Sequence, residues 1–256
     1  MGSALITGAT SGIGLELAWE LAAERNDLVL VARGLERLES VAEQIRQKAG
    51  VQVELLPADL ATEEGARAVA ARLYAENKPI GILVNNVGFG LSQEFVGGDL
   101  ERELYGLDAM VRATLITCHA AAEVMARRGY GAILNISSMA SLTAQGTYSA
   151  HKAWVRTFTE GLAVDLKGSG VAVAAICPGL VHTDFHSSAG VDAGQWPEYF
   201  FTTPAHVARV SLNALRHGRV IVTPTLRYKT LAALLKVAPR ALVRAVAGPE
   251  MSGRPA

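Results

Sequence analysis

Short aliphatic and β-branched runs alternate along the chain with longer stretches whose apolar residues recur every three or four positions. Ser3–Thr7 has the first pattern and Gly12–Arg25 the second. Leu28–Val31 is apolar at every position, as in a strand covered on both faces. Over 35–49, Leu35, Leu38, Val41, Ala42 and Ile45 share one face of a helix. The same spacing predicts strands over Val51–Leu56, Ile80–Val84, Ala132–Ile136, Val171–Ile176 and Arg219–Thr223. It predicts helices over Thr62–Asn77, Leu100–Arg128, Thr147–Lys167 and Pro204–Arg216. Crossovers of this length allow parallel pairing, and right-handed crossovers wind such a chain into an α/β doubly wound sheet of seven strands with helices on both faces. No Pro-, Gly- or Ser-rich linker divides it, so residues 1–225 read as one domain and 226–256 as a C-terminal tail.

Two segments break the rhythm, Phe89–Asp99 and His182–Thr203. In a doubly wound sheet, loops at the strand carboxyl ends surround the ligand crevice. The second segment carries Phe185, Trp196, Tyr199, Phe200 and Phe201, which suits either a lid over an apolar substrate or a packed insertion.

Half of the 256 residues are hydrophobic, enough for a sizeable core and too many for low-complexity disorder. The 24 basic and 24 acidic side chains cancel, so no net charge draws the chain to nucleic acid. The balance is uneven, however. From Arg216 to the end stand eight Lys/Arg and a single acid, Glu250. The tail interleaves Leu231, Leu234, Leu235, Val237, Leu242, Val243 and Val246 with Lys229, Lys236, Arg240 and Arg244, and Pro239 divides it. An apolar face with basic flanks suits peripheral contact with an anionic membrane surface; a helix capping the core or a subunit contact is the other reading. No targeting segment stands out at the start, and no run reaches the roughly 18 apolar residues of a membrane span. Cys118 and Cys177 form no zinc or disulfide pattern and are expected as reduced thiols in a cytoplasmic protein. His182 and His186 are four apart, with Asp184 between them, yet no further ligand completes a metal site, and none is expected.

The candidate chemistry lies where strands meet helices. Thr7-Gly8-Ala9-Thr10-Ser11-Gly12-Ile13-Gly14 joins the first strand to the first helix. Its glycines allow a tight turn and close approach of backbone to a pyrophosphate, and the helix N-terminus offers free N–H groups to the anion. An NAD site ends its second strand with an acid for the ribose 2′-hydroxyl. Here the strand ends Val31-Ala32-Arg33, and a guanidinium suits a 2′-phosphate, so NADP is the expected cofactor. Asp59-Leu60 follows the third strand and is a candidate for holding adenine. Asn85-Asn86-Val87-Gly88 follows the fourth, with amides able to tie strands together beside the ribose. Tyr148 and Lys152 share one face at the start of a helix. A lysine ammonium favours a phenolate, and bringing a tyrosine from near pH 10 to neutrality takes roughly 4 kcal/mol. Such a pair is an acid/base device, and Ser137-Ser138 at the end of a buried strand could polarise a carbonyl.

Thr7-Gly8-xxx-Gly12-x-Gly14, Asn85-Asn86-Val87-Gly88, Ser137-Ser138, Tyr148-xxx-Lys152 and Cys177-Pro178-Gly179-Leu180-Val181-His182-Thr183 occur in this order. Together they resemble the short-chain dehydrogenase/reductase family over nearly the whole chain. The resemblance implies a Rossmann-type fold and hydride transfer between a nicotinamide and a carbonyl or alcohol. It implies Tyr148 as general acid/base, Lys152 as its pKa tuner and ribose ligand, and Ser138 as carbonyl polariser. Pro178, Gly179, Val181 and Thr183 would contact the cofactor, the last two at the nicotinamide carboxamide. It also implies a homodimer or homotetramer built on the long fourth helix and the Tyr148 helix, where Trp154 and Phe158 could contribute. More loosely, 207–215 and the tail resemble a branch that reduces long 3-oxoacyl lipids, including the mycolate-precursor reductase. Two positions depart from the family pattern. Met110 stands where the family usually has an asparagine of its proton relay, and a thioether cannot replace an amide. Ser138 precedes Tyr148 by ten residues, a shorter spacing than usual, which leaves Ser141 as a substitute. These departures motivate an alternative, a catalytically weak NADP-binding sensor or partner protein.

Overall fold

Seven strands, all parallel, form one sheet in the computed structural model, which describes residues 2–183, 194 and 196–246. They are β1 (Ser3–Thr7), β2 (Asp27–Ala32), β3 (Val53–Pro57), β4 (Ile82–Asn85), β5 (Gly131–Ile136), β6 (Val171–Ile176) and β7 (Ile221–Val222), in the order β3-β2-β1-β4-β5-β6-β7. The chain therefore reverses its winding direction between β1 and β4. Leu5 pairs with Val29 on one side and Leu83 on the other, and successive residues point to opposite faces.

That alternation divides the interior into two cores. Ala4, Ile6, Leu28, Leu30, Val84 and Leu134 face α1 (Gly12–Ala23), α2 (Leu35–Ala49) and α7 (Pro204–Arg216), meeting Leu17, Leu38, Ile45 and Val207. Leu5, Val29, Val31, Leu83 and Ile133 face α3 (Glu63–Tyr74), α5 (Ala113–Arg128) and α6 (Thr147–Asp165). Both faces of the sheet are thus covered, which is why its strands read as continuous apolar runs. Each fully buried leucine, such as Leu5, contributes roughly 1.5–3 kcal/mol by leaving water. Thr62 starts α3 by accepting the Gly65 N–H at 3.0 Å.

Two expectations change. The long helix expected over 100–128 is interrupted: α4 (Leu100–Leu107) passes through a π-helical turn, Asp108–Arg112, before α5. There the Ala113 N–H reaches back to the Asp108 carbonyl, and the Thr114 hydroxyl donates to the Met110 carbonyl at 2.9 Å. Hydrophobic periodicity does not register a single extra residue in a turn. The edge strand β7 keeps only Ile221–Val222 of the expected five residues, because its only sheet partner is β6. The tail forms two helices, α8 (Leu226–Val237) and α9 (Arg240–Val246), separated at Pro239 as its lack of a backbone donor favours. Their inner residues pack on the sheet's carboxyl end: Tyr228 and Ala232 are buried against Met139. No helix among the described residues is long and apolar enough to cross a membrane.

Candidate active site

The carboxyl ends of the strands open into a crevice of about 1040 Å³, at the point where winding direction reverses. Its floor at one end is the glycine loop. Gly8 and Gly12 have φ of 63° and 54°, the left-handed region that glycine adopts freely. Gly14 serves a different purpose. A Cβ there would lie 2.2 Å from the Gly8 carbonyl oxygen and 2.4 Å from Asn86 Nδ2, so only glycine lets α1 pack this closely. Ser11, the N-cap of α1, makes no side-chain cap bond, leaving the first-turn N–H groups directed at the crevice with the positive end of the helix dipole. Arg33 and Arg37 line the same end. Uncapped amides, two guanidiniums and a backbone without side-chain bulk fit an anionic dinucleotide.

The strand ends are cross-tied beneath this floor. Asn86 Nδ2 donates to the carbonyls of Thr7 and Gly8 at 3.2 and 3.1 Å, fixing β4 to the glycine loop. Asn85 lies below the crevice. It donates to Asn135 Oδ1 at 3.0 Å and accepts from Thr117 at 2.9 Å, while Asn135 donates to Thr159. These buried amides join β4, β5, α5 and α6 with their polar groups satisfied. The Cys118 thiol beside them is buried, which pushes its pKa up to about 12 and makes it unreactive. Both cysteines are free.

At the other end stand Ser138, Tyr148 and Lys152. The short 138–148 connection closes through a 3-10 turn, Met139–Leu142, and this brings Ser138 into hydrogen-bond contact with the Tyr148 hydroxyl. Ser138 Oγ also accepts from the Ala140 N–H at 3.1 Å. Ser141, the possible substitute, lies instead beside the Cys177 thiol and does not line the crevice. Lys152 is 2% exposed. Its Nζ donates to the Ile136 carbonyl at 2.9 Å and the Val87 carbonyl at 3.4 Å, and the Ser137 hydroxyl donates to the Lys152 carbonyl at 2.7 Å. Gly88 makes room for the ammonium, because a Cβ there would be 2.6 Å from it.

The electrostatics correct one expectation. Lys152 was expected to lower the Tyr148 pKa. Burial pushes that pKa up to about 12, and the Ser138 hydrogen bond opposes the rise. The reason is geometric: the ammonium is turned toward backbone carbonyls, with Nζ 5.9 Å from the centre of the phenol ring. Burial also lowers the Lys152 pKa, to about 8. The phenol is therefore protonated at neutral pH.

A family model for the short-chain dehydrogenases matches residues 3–193, from β1 past the Pro178–Thr183 turn. The chain belongs to this family. An uncharacterized oxidoreductase of Staphylococcus saprophyticus is 32% identical over 216 residues, covering 83% of this chain and 90% of that one. Among solved structures, a short-chain dehydrogenase from Sphingobium yanoikuyae in complex with NADPH superposes with a TM-score of 0.83 at 32% identity, covering 94% and 98% of the two chains. The bulky-bulky ketone specific alcohol dehydrogenase from Comamonas testosteroni gives 0.80 at 28% identity, with 94% and 96% covered. As a short-chain dehydrogenase, the protein is an oxidoreductase acting on alcohol or ketone groups.

Most of the residues singled out in the sequence converge on this short-chain dehydrogenase crevice. Gly8, Thr10, Ser11, Gly12, Ile13, Arg33, Asp59, Leu60, Asn86, Val87, Gly88, Ser138, Tyr148, Lys152, Pro178, Gly179, Val181 and Thr183 all line it. Gly14 and Asn85 do not; both act from beneath, as described above. Met110 is buried in the π turn, and its carbonyl accepts from the Thr114 hydroxyl. In the 182–203 segment, Trp196 and Phe200 line the crevice and Phe201 stacks on His182 at 4.5 Å. His182 Nε2 lies 2.7 Å from a Glu198 carboxylate oxygen. Phe185, Asp184 and His186, and with them half of the 182–203 segment, lie outside the described residues.

Three wall residues escaped sequence reasoning. Arg37 sits on α2, four residues after Arg33, and belongs to no motif. Tyr105 and Tyr228 come from elements whose approach to the crevice no local pattern announces. The Tyr228 ring occupies the space a Cβ on Gly179 would need, its hydroxyl accepts from the Leu180 N–H at 3.1 Å, and it donates to the Phe200 carbonyl at 3.1 Å. The tail is thereby pinned to both the Pro178–Thr183 turn and the aromatic segment.

Proposed function

We propose that this protein is an NADP(H)-dependent reductase of apolar ketones or oxoacyl compounds, with Tyr148 as proton donor, Ser138 as carbonyl polariser and Lys152 as the buried cation beside them. The observation that carries this reading is the Tyr148–Ser138 hydrogen bond, set at one end of a crevice whose other end is the glycine loop with Arg33 and Arg37. The NADPH held by the Sphingobium relative supports the choice of cofactor. So does the lack of an acid at the end of β2. Gly8–Ile13, Asn86–Gly88 and the Pro178–Thr183 turn would hold the nucleotide, which when bound supplies a hydride from its nicotinamide. The protein's own part is the proton. The Tyr148 hydroxyl donates it to the substrate oxygen as negative charge develops there, while the Ser138 hydroxyl donates a hydrogen bond to the same atom. A phenol protonated throughout the neutral range suits reduction.

The substrate wall favours apolar compounds. Leu91, Met139, Leu180, Trp196, Phe200 and Leu231 line it. The ketone specificity of the Comamonas relative agrees with such a wall. NADPH oxidation with a series of ketones of increasing alkyl length should show kcat/KM rising by up to about 4-fold per buried methylene. A preference for small, polar carbonyls would overturn the assignment.

Two further features belong to this reading. Leu100, Leu104, Leu107 and Leu115 are exposed along α4 and α5, and Trp154 stacks on Phe158 at 4.6 Å on α6; a homodimer through these helices would cover them. The outer face of α8 and α9 presents Leu226, Leu234, Val237 and Leu242 with Lys229, Lys236, Arg240 and Arg244 and no acid, which suits an anionic lipid surface delivering an oxoacyl substrate. Full-length protein is expected to sediment with phosphatidylglycerol-containing vesicles more than with neutral ones; equal, negligible sedimentation with both rejects the membrane contact and leaves the reductase assignment standing.

A further inference from the structure

Beyond Arg33 and Arg37, the nucleotide end of the crevice contains a group that no sequence motif marks. Tyr105 reaches in from α4, and its hydroxyl stands between two charged side chains. Arg33 Nη1 donates to it at 2.7 Å, and it donates in turn to the Asp59 carboxylate, with oxygens at 3.1 and 3.2 Å. The three residues come from the end of β2, the end of β3 and the outer wall, and all line the crevice. The ring is backed by Phe89, with centroids 5.6 Å apart.

We infer that Tyr105 is a specificity-determining residue for the nucleotide: anchored on Asp59, its hydroxyl positions the Arg33 guanidinium for a 2′-phosphate. The inference rests on the NADP(H) reading of the crevice and extends it to a residue outside the motifs. Four physical points support it. The hydroxyl has one proton, and Asp59 takes it, so its lone pairs are left to face Arg33. Arg33 spends one N–H on this contact and keeps its other donors for a phosphate. A long, exposed side chain loses rotamer entropy on binding unless it is already held, so anchoring it beforehand favours the complex. The neutral hydroxyl also separates guanidinium from carboxylate. Without it, the two charges are free to pair directly, and the positive charge presented to a phosphate falls.

The test is a thermodynamic cycle. NADPH and NADH are titrated, by their fluorescence, into the unaltered protein, Tyr105→Phe, Arg33→Ala and the double variant. Phenylalanine preserves the ring against Phe89. Tyr105→Phe is expected to weaken NADPH binding by about 2- to 12-fold, to leave NADH binding within about twofold, and to add nothing once Arg33 is gone. Unchanged or tighter NADPH binding by Tyr105→Phe overturns the inference. So does an equal loss for both nucleotides, which would mark the ring as a general contact rather than a positioner of Arg33. If the unaltered protein binds neither nucleotide, the cofactor assignment itself falls, and this inference falls with it.

Discussion

Tyr148→Phe should reduce kcat/KM for NADPH-dependent ketone reduction by about 10²- to 10⁴-fold, the range expected when a general acid is deleted. The substitution removes one oxygen and keeps the ring, so the crevice wall is preserved and the loss reports on the proton. Burial holds the phenol protonated, with its pKa pushed up to about 12. Delivering the proton then depends on stabilising the phenolate left behind. Lys152 is the nearest buried cation, and its own pKa is lowered by burial to about 8. Below about pH 8 the ammonium is charged and, though turned to the Ile136 and Val87 carbonyls before transfer, is the cation expected to favour the phenolate as it forms; as pH rises through that value the charge is lost. Reduction should therefore slow above about pH 8. Steady-state NADPH oxidation across pH 6–10, read for both proteins, checks both statements. A Tyr148→Phe enzyme that keeps its rate would place the proton source elsewhere. Turnover that is absent in the unaltered protein, with NADPH still bound tightly, would favour a sensor over an enzyme.

Arg33→Ala should weaken NADPH binding by about 1–3 kcal/mol, the usual worth of a charge-assisted contact, which is roughly 5- to 150-fold. NADH lacks the 2′-phosphate and should be nearly unaffected. The loss is expected toward the lower end of the range, because Arg33 is exposed and Arg37 lines the same end of the crevice. Isothermal titration of both nucleotides gives the ratio directly. An unchanged ratio of NADPH to NADH affinity would show that the guanidinium meets solvent rather than phosphate. Raising the ionic strength should narrow the difference between the unaltered protein and the variant, since the contact is electrostatic and partly open to water.

The sheet was legible because it is buried on both sides. Leu28–Val31 and Val171–Ile176 had to be apolar throughout, and such runs stand out between helices with a one-sided stripe. The glycine loop was legible for a related reason: Gly14 sits where a Cβ would overlap backbone, so the chain has no other choice of residue there. The π turn at 108–112 was not legible, since one additional residue in a turn leaves the apolar pattern on either side intact. Nor was the protonation state of Tyr148. The sequence places an ammonium one helical turn away, but the direction of that ammonium depends on the carbonyls of Ile136 and Val87, which belong to β5 and to the loop after β4. The short 138–148 spacing suggested a displaced serine, whereas a single 3-10 turn absorbs the difference and keeps Ser138 on Tyr148.

By itself, the amino-acid sequence determined the order of the elements, the parallel winding and the position of the crevice, because burial and backbone geometry constrain neighbouring residues and so leave a local record. Only the tertiary structure decided which charges meet: that Tyr105 stands between Arg33 and Asp59, that Lys152 turns to carbonyls, and that Tyr228 of the tail seals the substrate wall. Those contacts join residues 16 to 72 positions apart, and electrostatics depends on distance in space, of which spacing along the chain keeps no trace.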